Sequence, residues 1–298
     1  MKKTCSGLKV LPLLLPLLLG ISFSASKSIE KDEWTSLLDK DLSQWRTYLS
    51  YEIKNGYNGS VPVDAKGDTI QPIGYDSNVK NVFTVNEESG TPILRISGEI
   101  YGCLFTKNSY KNYRFKLKMK WGNKKWEPRL DEPLDSGILY HSQGEAGADY
   151  WRSWMLSHEF QLIEESSGDY WSIGNSQVKI PAQKEGDLLR FDPQGKLLSV
   201  GTGSENGGFC GVRKSADKPV GEWNDIELVC YEGKSLYIVN GEVVMALSDL
   251  TYTDGDVKKP LIEGAIQLQS EAGEVFFKDI KIKEIDTAPE EFSIYFKV

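Results

Sequence analysis

Residues 113–121 alternate without interruption. Tyr113, Phe115, Leu117, Met119 and Trp121 fall on one side, and Arg114, Lys116, Lys118 and Lys120 on the other. A period of two marks a β-strand with one buried face. Shorter runs at 93–97, 136–141, 223–231, 235–239, 243–247, 264–270 and 274–285 predict further strands. Asn240-Gly241 between two of them is a two-residue hairpin signal. The one competing helical signal is a turn near residues 32–38. Short strands punctuated by Gly, Asn and Asp predict an all-β sandwich of two antiparallel sheets. Residues 51–81, rich in Gly, Asp, Asn and Pro, predict long loops inserted on that sandwich. Residues 201–208 predict a second flexible loop, and residues 286–298 an irregular tail.

Candidate chemistry concentrates at residues 157–165, Ser-His-Glu-Phe-Gln-Leu-Ile-Glu-Glu. As a strand, this segment places Glu159 and Gln161 on one face and Phe160 and Leu162 on the other. Tyr150, Trp151 and Trp154 precede it, and Tyr170 and Trp171 follow. Flat rings stack on the C–H faces of sugars, while carboxylates bind hydroxyls or move protons, so the combination suits a carbohydrate site. Glu164 is out of phase with Glu159, and only a bulge would return it to the same face.

The first residues change the picture of what is mature protein. Lys2, Lys3 and Lys9 accompany an apolar run at 10–21, and Ser22, Ser24, Ala25 and Ser26 suit cleavage. The run is short for a span of ~20 residues and contains Pro12 and Pro16. The expectation is a signal peptide at 1–26, then a single domain at 27–298, exported to the periplasm or cell surface with no transmembrane segment. The net charge of −8 falls to −11 without the three leader lysines, which argues against nucleic acid as a partner. Cys103, Cys210 and Cys230 remain. Cys210 and Cys230 are readable as a disulfide or as buried thiols. His141 and His158 are the only histidines, which excludes a histidine-rich zinc site, and no resident cofactor is expected. Asp135, Glu159 and Glu271 leave a divalent cation such as calcium open, without calcium-loop spacing.

The order of motifs resembles the 3-keto-disaccharide hydrolase family. The matching pieces begin with Trp34-Thr35-Ser36-Leu37-Leu38, Leu42-Ser43-Gln44-Trp45, Gly102-Cys103-Leu104-Phe105-Thr106 and residues 113–121. They continue with Asp135-Ser136-Gly137-Ile138-Leu139-Tyr140-His141, Glu159-Phe160-Gln161-Leu162, Gly221-Glu222-Trp223-Asn224 and Val239-Asn240-Gly241, and close at residues 264–271. The resemblance implies a concanavalin A-like jelly roll. Many members carry asparagine where this chain has Asp135, and arginine near the position of His141. The chain is closer to a branch with Asp-Ser-Gly…Tyr-His and Gly-Asp-Tyr-Trp patterns, the latter here at 168–171.

The implied activity is hydrolysis of a glycoside already oxidised at C3, which places a sugar 3-dehydrogenase upstream. A C3 ketone acidifies the C2 proton, so one base, one donor to the leaving oxygen and stabilisation of the enolate suffice. Glu159 is the leading proton-transfer candidate, with His141 and Glu164 as further catalytic candidates. Gln161, Asp135, Lys120, Trp151, Trp154, Trp171, Gln269 and Glu271 are candidates for substrate binding. Two alternatives stay open. One is a laminarinase-like glucanase using Glu159 and Glu164 as a retaining pair about 5–5.5 Å apart. The other is a carbohydrate-binding protein without turnover.

Overall fold

A computed structural model describes Met1 and residues 33–296. The expected signal peptide lies almost wholly outside the described residues. From residue 33 the chain forms two antiparallel sheets packed face to face, as the alternation predicts.

The larger sheet has 12 strands. Its centre runs Glu242–Asp254, Lys234–Val239, Asn224–Tyr231, Tyr113–Lys125, Gly273–Glu284, Thr91–Ile96. The smaller sheet has 8 strands, in the order Phe209–Cys210, Tyr170–Ile173, Leu156–Ile163, Asp135–Gln143, Ala265–Ser270, Gly102–Thr106, Trp45–Leu49, Gly74–Tyr75. Asn240 and Gly241 both take positive φ (50° and 85°), the conformation a two-residue hairpin turn requires.

The main core lies between the sheets. Phe115, Leu117 and Met119 from the larger sheet meet Ile138, Phe160, Leu162 and Leu268 from the smaller one. The Phe160 and Tyr237 rings stack across the interface at 4.3 Å. The other face of the smaller sheet is also partly covered. Tyr48, Tyr101, Phe105, Leu139, Trp154 and Ile173 form a second apolar cluster there. One stretch of that face stays open, and it holds the candidate site.

Several details differ from the sequence reading. Residues 35–36 form a short strand against Gly273–Glu284 instead of a helical turn. The C-terminal segment ends in a turn of 3-10 helix at Glu290–Phe292 and a helical turn at Ser293–Phe296. Phe292, Tyr295 and Phe296 pack there on Val229, Leu236 and Ile238. Cys103, Cys210 and Cys230 are buried free thiols, so Cys210 and Cys230 are not paired. Among the described residues no helix is long and apolar enough to cross a membrane.

Candidate active site

The open stretch of the smaller sheet is a cleft of about 550 Å³. Its floor comes from neighbouring strands. Leu156–Ile163 contributes Glu159 and Gln161, and Asp135–Gln143 contributes Asp135. Antiparallel pairing sets Gly137 opposite Gln161 and Asp135 opposite Ile163. Glu271 follows the Ala265–Ser270 strand, where the chain crosses to the larger sheet. Trp171 and Phe209, 4.7 Å apart, line the cleft, as do Tyr150 and Trp151. Trp151 is held flat between Tyr57 and Tyr101, at 5.4 and 5.0 Å.

Arg129 organises the acids. Its Nη2 lies 2.7 Å from Asp135 Oδ2, and its Nη1 lies 3.7 Å from Glu271 Oε1. Gln161 Nε2 donates to the other Asp135 oxygen. Asp135 therefore accepts from a guanidinium and an amide, both of which favour its ionised form. Burial nonetheless dominates and raises the Asp135 carboxyl to about 7, against the opposing pull of Arg129. Burial, and next the Asp135 charge, hold Glu159 and Glu271 well above the usual carboxylate range. Three acids facing one arginine cannot all ionise away from water. The arrangement fits one anion, Asp135, beside two neutral carboxyls. A guanidinium already bridges Asp135 and Glu271, so these oxygens fit calcium poorly. No three His, Cys, Asp or Glu side chains among the described residues are grouped as metal ligands.

Glu159 is the reactive-looking member. It is 3% exposed. Its side chain and that of Gln269 meet over Gly137. A Cβ on that glycine would fall 2.3 Å from Gln269 Oε1 and 2.7 Å from Glu159 Oε1. Gln269 is thus the hydrogen-bonding neighbour of Glu159 and works against the upward pull of burial on its carboxyl.

The sequence candidates divide accordingly. The structure brings Asp135, Glu159, Gln161, Glu271, Trp151, Trp154 and Trp171 to one cleft, with Gln269 beside Glu159. Trp154 is largely structural: it is 2% exposed and donates Nε1–H to Gly102 O. Three residues do not join them. His141 was expected on the cleft face. A bulge between Tyr140 and Gln143, with His141 at φ 53°, turns its ring into the core against Tyr113 and Tyr140. Burial lowers that imidazole to about 4. Glu164 lies beyond the end of its strand, where Oε2 accepts from Leu134 N. Lys120 belongs to the larger sheet, with its ammonium over the Trp223 ring.

Sequence reasoning missed other residues. Arg129 sits in a loop, and nothing local marks its long-range partners. Asp149 accepts from the backbone N–H groups of Trp151, Ser153 and Trp154 and so shapes the tryptophan loop. An aspartate just before Trp-Arg-Ser-Trp is an Asx-turn signal that could have identified it. Asp169 accepts from Val212 N, and burial raises it to about 6. Tyr101 Oη is buried without a partner, in the electrostatic field of Glu271, Arg129 and Asp135.

The chain matches the 3-keto-alpha-glucoside-1,2-lyase-like domain over residues 33–283. Two solved structures from Parabacteroides distasonis, each provisionally described as a glycosyl hydrolase, are similar to it. One is 16% identical, with 85% of this chain and 100% of that chain covered and a TM-score of 0.46. The other is 20% identical, with coverages of 85% and 94% and a TM-score of 0.44. A carbohydrate-binding module from Bacillus subtilis is 9% identical, with coverages of 68% and 92% and a TM-score of 0.38. No curated protein matches the chain. The family match spans nearly the whole sandwich: this chain belongs to the carbohydrate-active family of 3-keto-α-glucoside-1,2-lyase-like domains.

Proposed function

We propose that the cleft releases the C1 substituent of a 3-keto-glycoside by elimination. Asp135, as the anion of the cluster, takes the C2 proton. The C–H electron pair passes to an enolate at C3, which Arg129 stabilises. The enolate then collapses to a C1=C2 double bond, and the C1–O bond breaks. Glu159, neutral in the resting site, gives its proton to the departing oxygen. Water adding across the new double bond completes net hydrolysis. Glu159 thus keeps the leading role expected from the sequence, narrowed from base-or-acid to acid.

One observation carries this reading: a buried Glu159, its carboxyl held well above the usual range by burial, on the same floor as an Arg129-paired Asp135. Groups whose proton affinities are driven apart by their surroundings are suited to acid and base roles. Gln161 and Glu271 bind sugar hydroxyls, and Trp171 and Trp151 present ring faces. The substrate must be oxidised at C3 beforehand, so a sugar 3-dehydrogenase acts upstream, and the enzyme works after export. The two-glutamate route loses its second member, because Glu164 is committed to Leu134.

The test compares a 3-keto-glucoside with its unoxidised parent, with and without chelator. Turnover of the keto compound alone, slowed by deuterium at C2, is expected. Turnover of the parent at a similar rate would overturn the proposal.

A further inference from the structure

The outer face of the larger sheet carries charge that the cleft does not use. Arg114, Lys116, Lys118 and Lys120 point away from the core on Tyr113–Lys125. On the neighbouring strand Lys278 is paired directly with Lys118, and Lys281 with Lys116. Like charges opposite one another on adjacent strands destabilise a sheet. They do so here in a chain whose net charge is −8.

Carboxylates answer only part of this charge. Glu227 pairs with Arg114 and Lys116, and Asp225 with Lys118. Lys120, Lys278 and Lys281 have no ion-pair partner among the described residues. Their ammonium groups rest on indole rings instead. Lys278 and Lys120 lie 4.2 and 4.9 Å from the Trp223 centroid, and Lys281 lies 5.2 Å from that of Trp34. Cation–π contacts at exposed sites are similar in strength to exposed ion pairs, so carboxylates repeated along a chain can compete with the rings for these ammonium groups. A hollow of about 550 Å³ next to these strands is lined by Lys116, Lys118, Lys218 and Lys281 together with Asp225, Glu227 and Asp279.

We infer that this face docks a carboxylated polysaccharide, a linear chain with about one charge per sugar unit, across the Tyr113–Lys125 and Gly273–Glu284 strands. Charge density selects this partner. Duplex nucleic acid carries one charge per ~1.7 Å and would meet Asp225, Glu227, Asp279 and Glu291 with repulsion. A sparse polyanion can thread the unpaired lysines and place its uncharged C–H faces on Trp34 and Trp223. The surface is separate from the cleft, so its occupant need not be the substrate.

Affinity electrophoresis of the full chain through gels containing polygalacturonate, a neutral β-glucan or heparin tests this. Retardation by polygalacturonate is expected, falling with added salt. The combined variant Lys120→Gln, Lys278→Gln, Lys281→Gln should bind about tenfold more weakly, with cleft turnover unchanged. Trp223→Ala should weaken binding without removing its salt dependence. Absence of retardation, equal retardation by the neutral glucan, or an unaffected triple variant would overturn the inference. Stronger retention by heparin would overturn the carboxylate assignment. If the triple variant does not fold, the salt titration of the unmodified protein decides: retention that persists at high salt contradicts the inference.

Discussion

On the open face of the smaller sheet, Asp135, Glu159 and Glu271 are 2%, 3% and 5% exposed, and the first and last share the Arg129 guanidinium. On the outer face of the larger sheet, the side chains of Asp225 and Glu291 are 55% and 53% exposed, and they meet Lys118 and Arg114. Burial holds the first set of acids above the ordinary carboxylate range. Glu291 moves the other way, lowered first by a backbone N–H in its own turn and, more weakly, by Arg114. Both faces are built from the same alternating strands. What separates them is the covering of aromatic loops over the smaller sheet. That covering removes water, and without water a carboxyl holds its proton. One face is therefore suited to proton transfer and the other to ionic contact.

Substitutions that break the contrast should act in a definite order. The largest effect is expected from Asp135→Asn or Glu159→Gln, each lowering turnover about 100- to 10,000-fold. Glu159→Gln should leave the melting temperature nearly unchanged or raised, whereas Asp135→Asn should lower it by leaving Arg129 without its carboxylate. Steady-state kinetics beside thermal melting separates these outcomes. Arg129→Met leaves Asp135 buried without its partner and should cost about 3–5 kcal/mol of stability, measured by denaturant unfolding. Gly137→Ala drives a methyl group into the space of Glu159 and Gln269. It should cost about 1–3 kcal/mol and reduce turnover with it.

The pH response sharpens the same contrast. Burial raises the Asp135 carboxyl from its ordinary 3.8 to about 7 in the folded state. Its contribution to stability is full below about 3.8 and is lost as pH rises through about 7. His141 has the opposite sign. Burial lowers it from the ordinary 6.5 to about 4, so its contribution is full above 6.5 and is lost as pH falls toward 4. The two contributions change in opposite directions over nearly the same interval, about 4 to 7, so they largely offset each other and together leave stability nearly flat there. Turnover should rise with pH as Asp135 ionises near 7, out of step with stability. The smallest effect belongs to the exposed face: Lys118→Ala should change stability by less than about 1 kcal/mol, and less still in high salt.

Much of this organisation was legible in the sequence, for a definite reason. Alternation assigns each side chain to a face, so the core positions of residues 113–121 and the shared face of Glu159 and Gln161 followed directly. Alternation does not say which sheet a strand joins. Lys120 was therefore placed with the sugar-binding residues, although it lies on the outer face of the other sheet. Nor does it survive a bulge: the left-handed backbone at His141 turned an expected cleft residue into a core one. Arg129 was invisible because its role comes from two partners, Asp135 and Glu271, brought together only by the folded chain. The resemblance to the family rested on the same motifs and holds over residues 33–283.

The central claim is that this cleft moves the C2 proton of a 3-keto sugar. It is tested most directly by following a 3-keto-glucoside in deuterated water by NMR, with the unmodified protein and with Glu159→Gln. The account predicts deuterium entering C2 as the aglycone is released. With Glu159→Gln, exchange at C2 should persist while release is suppressed, because the base remains and the acid is gone. Release of the aglycone with C2 still fully protonated would contradict the account.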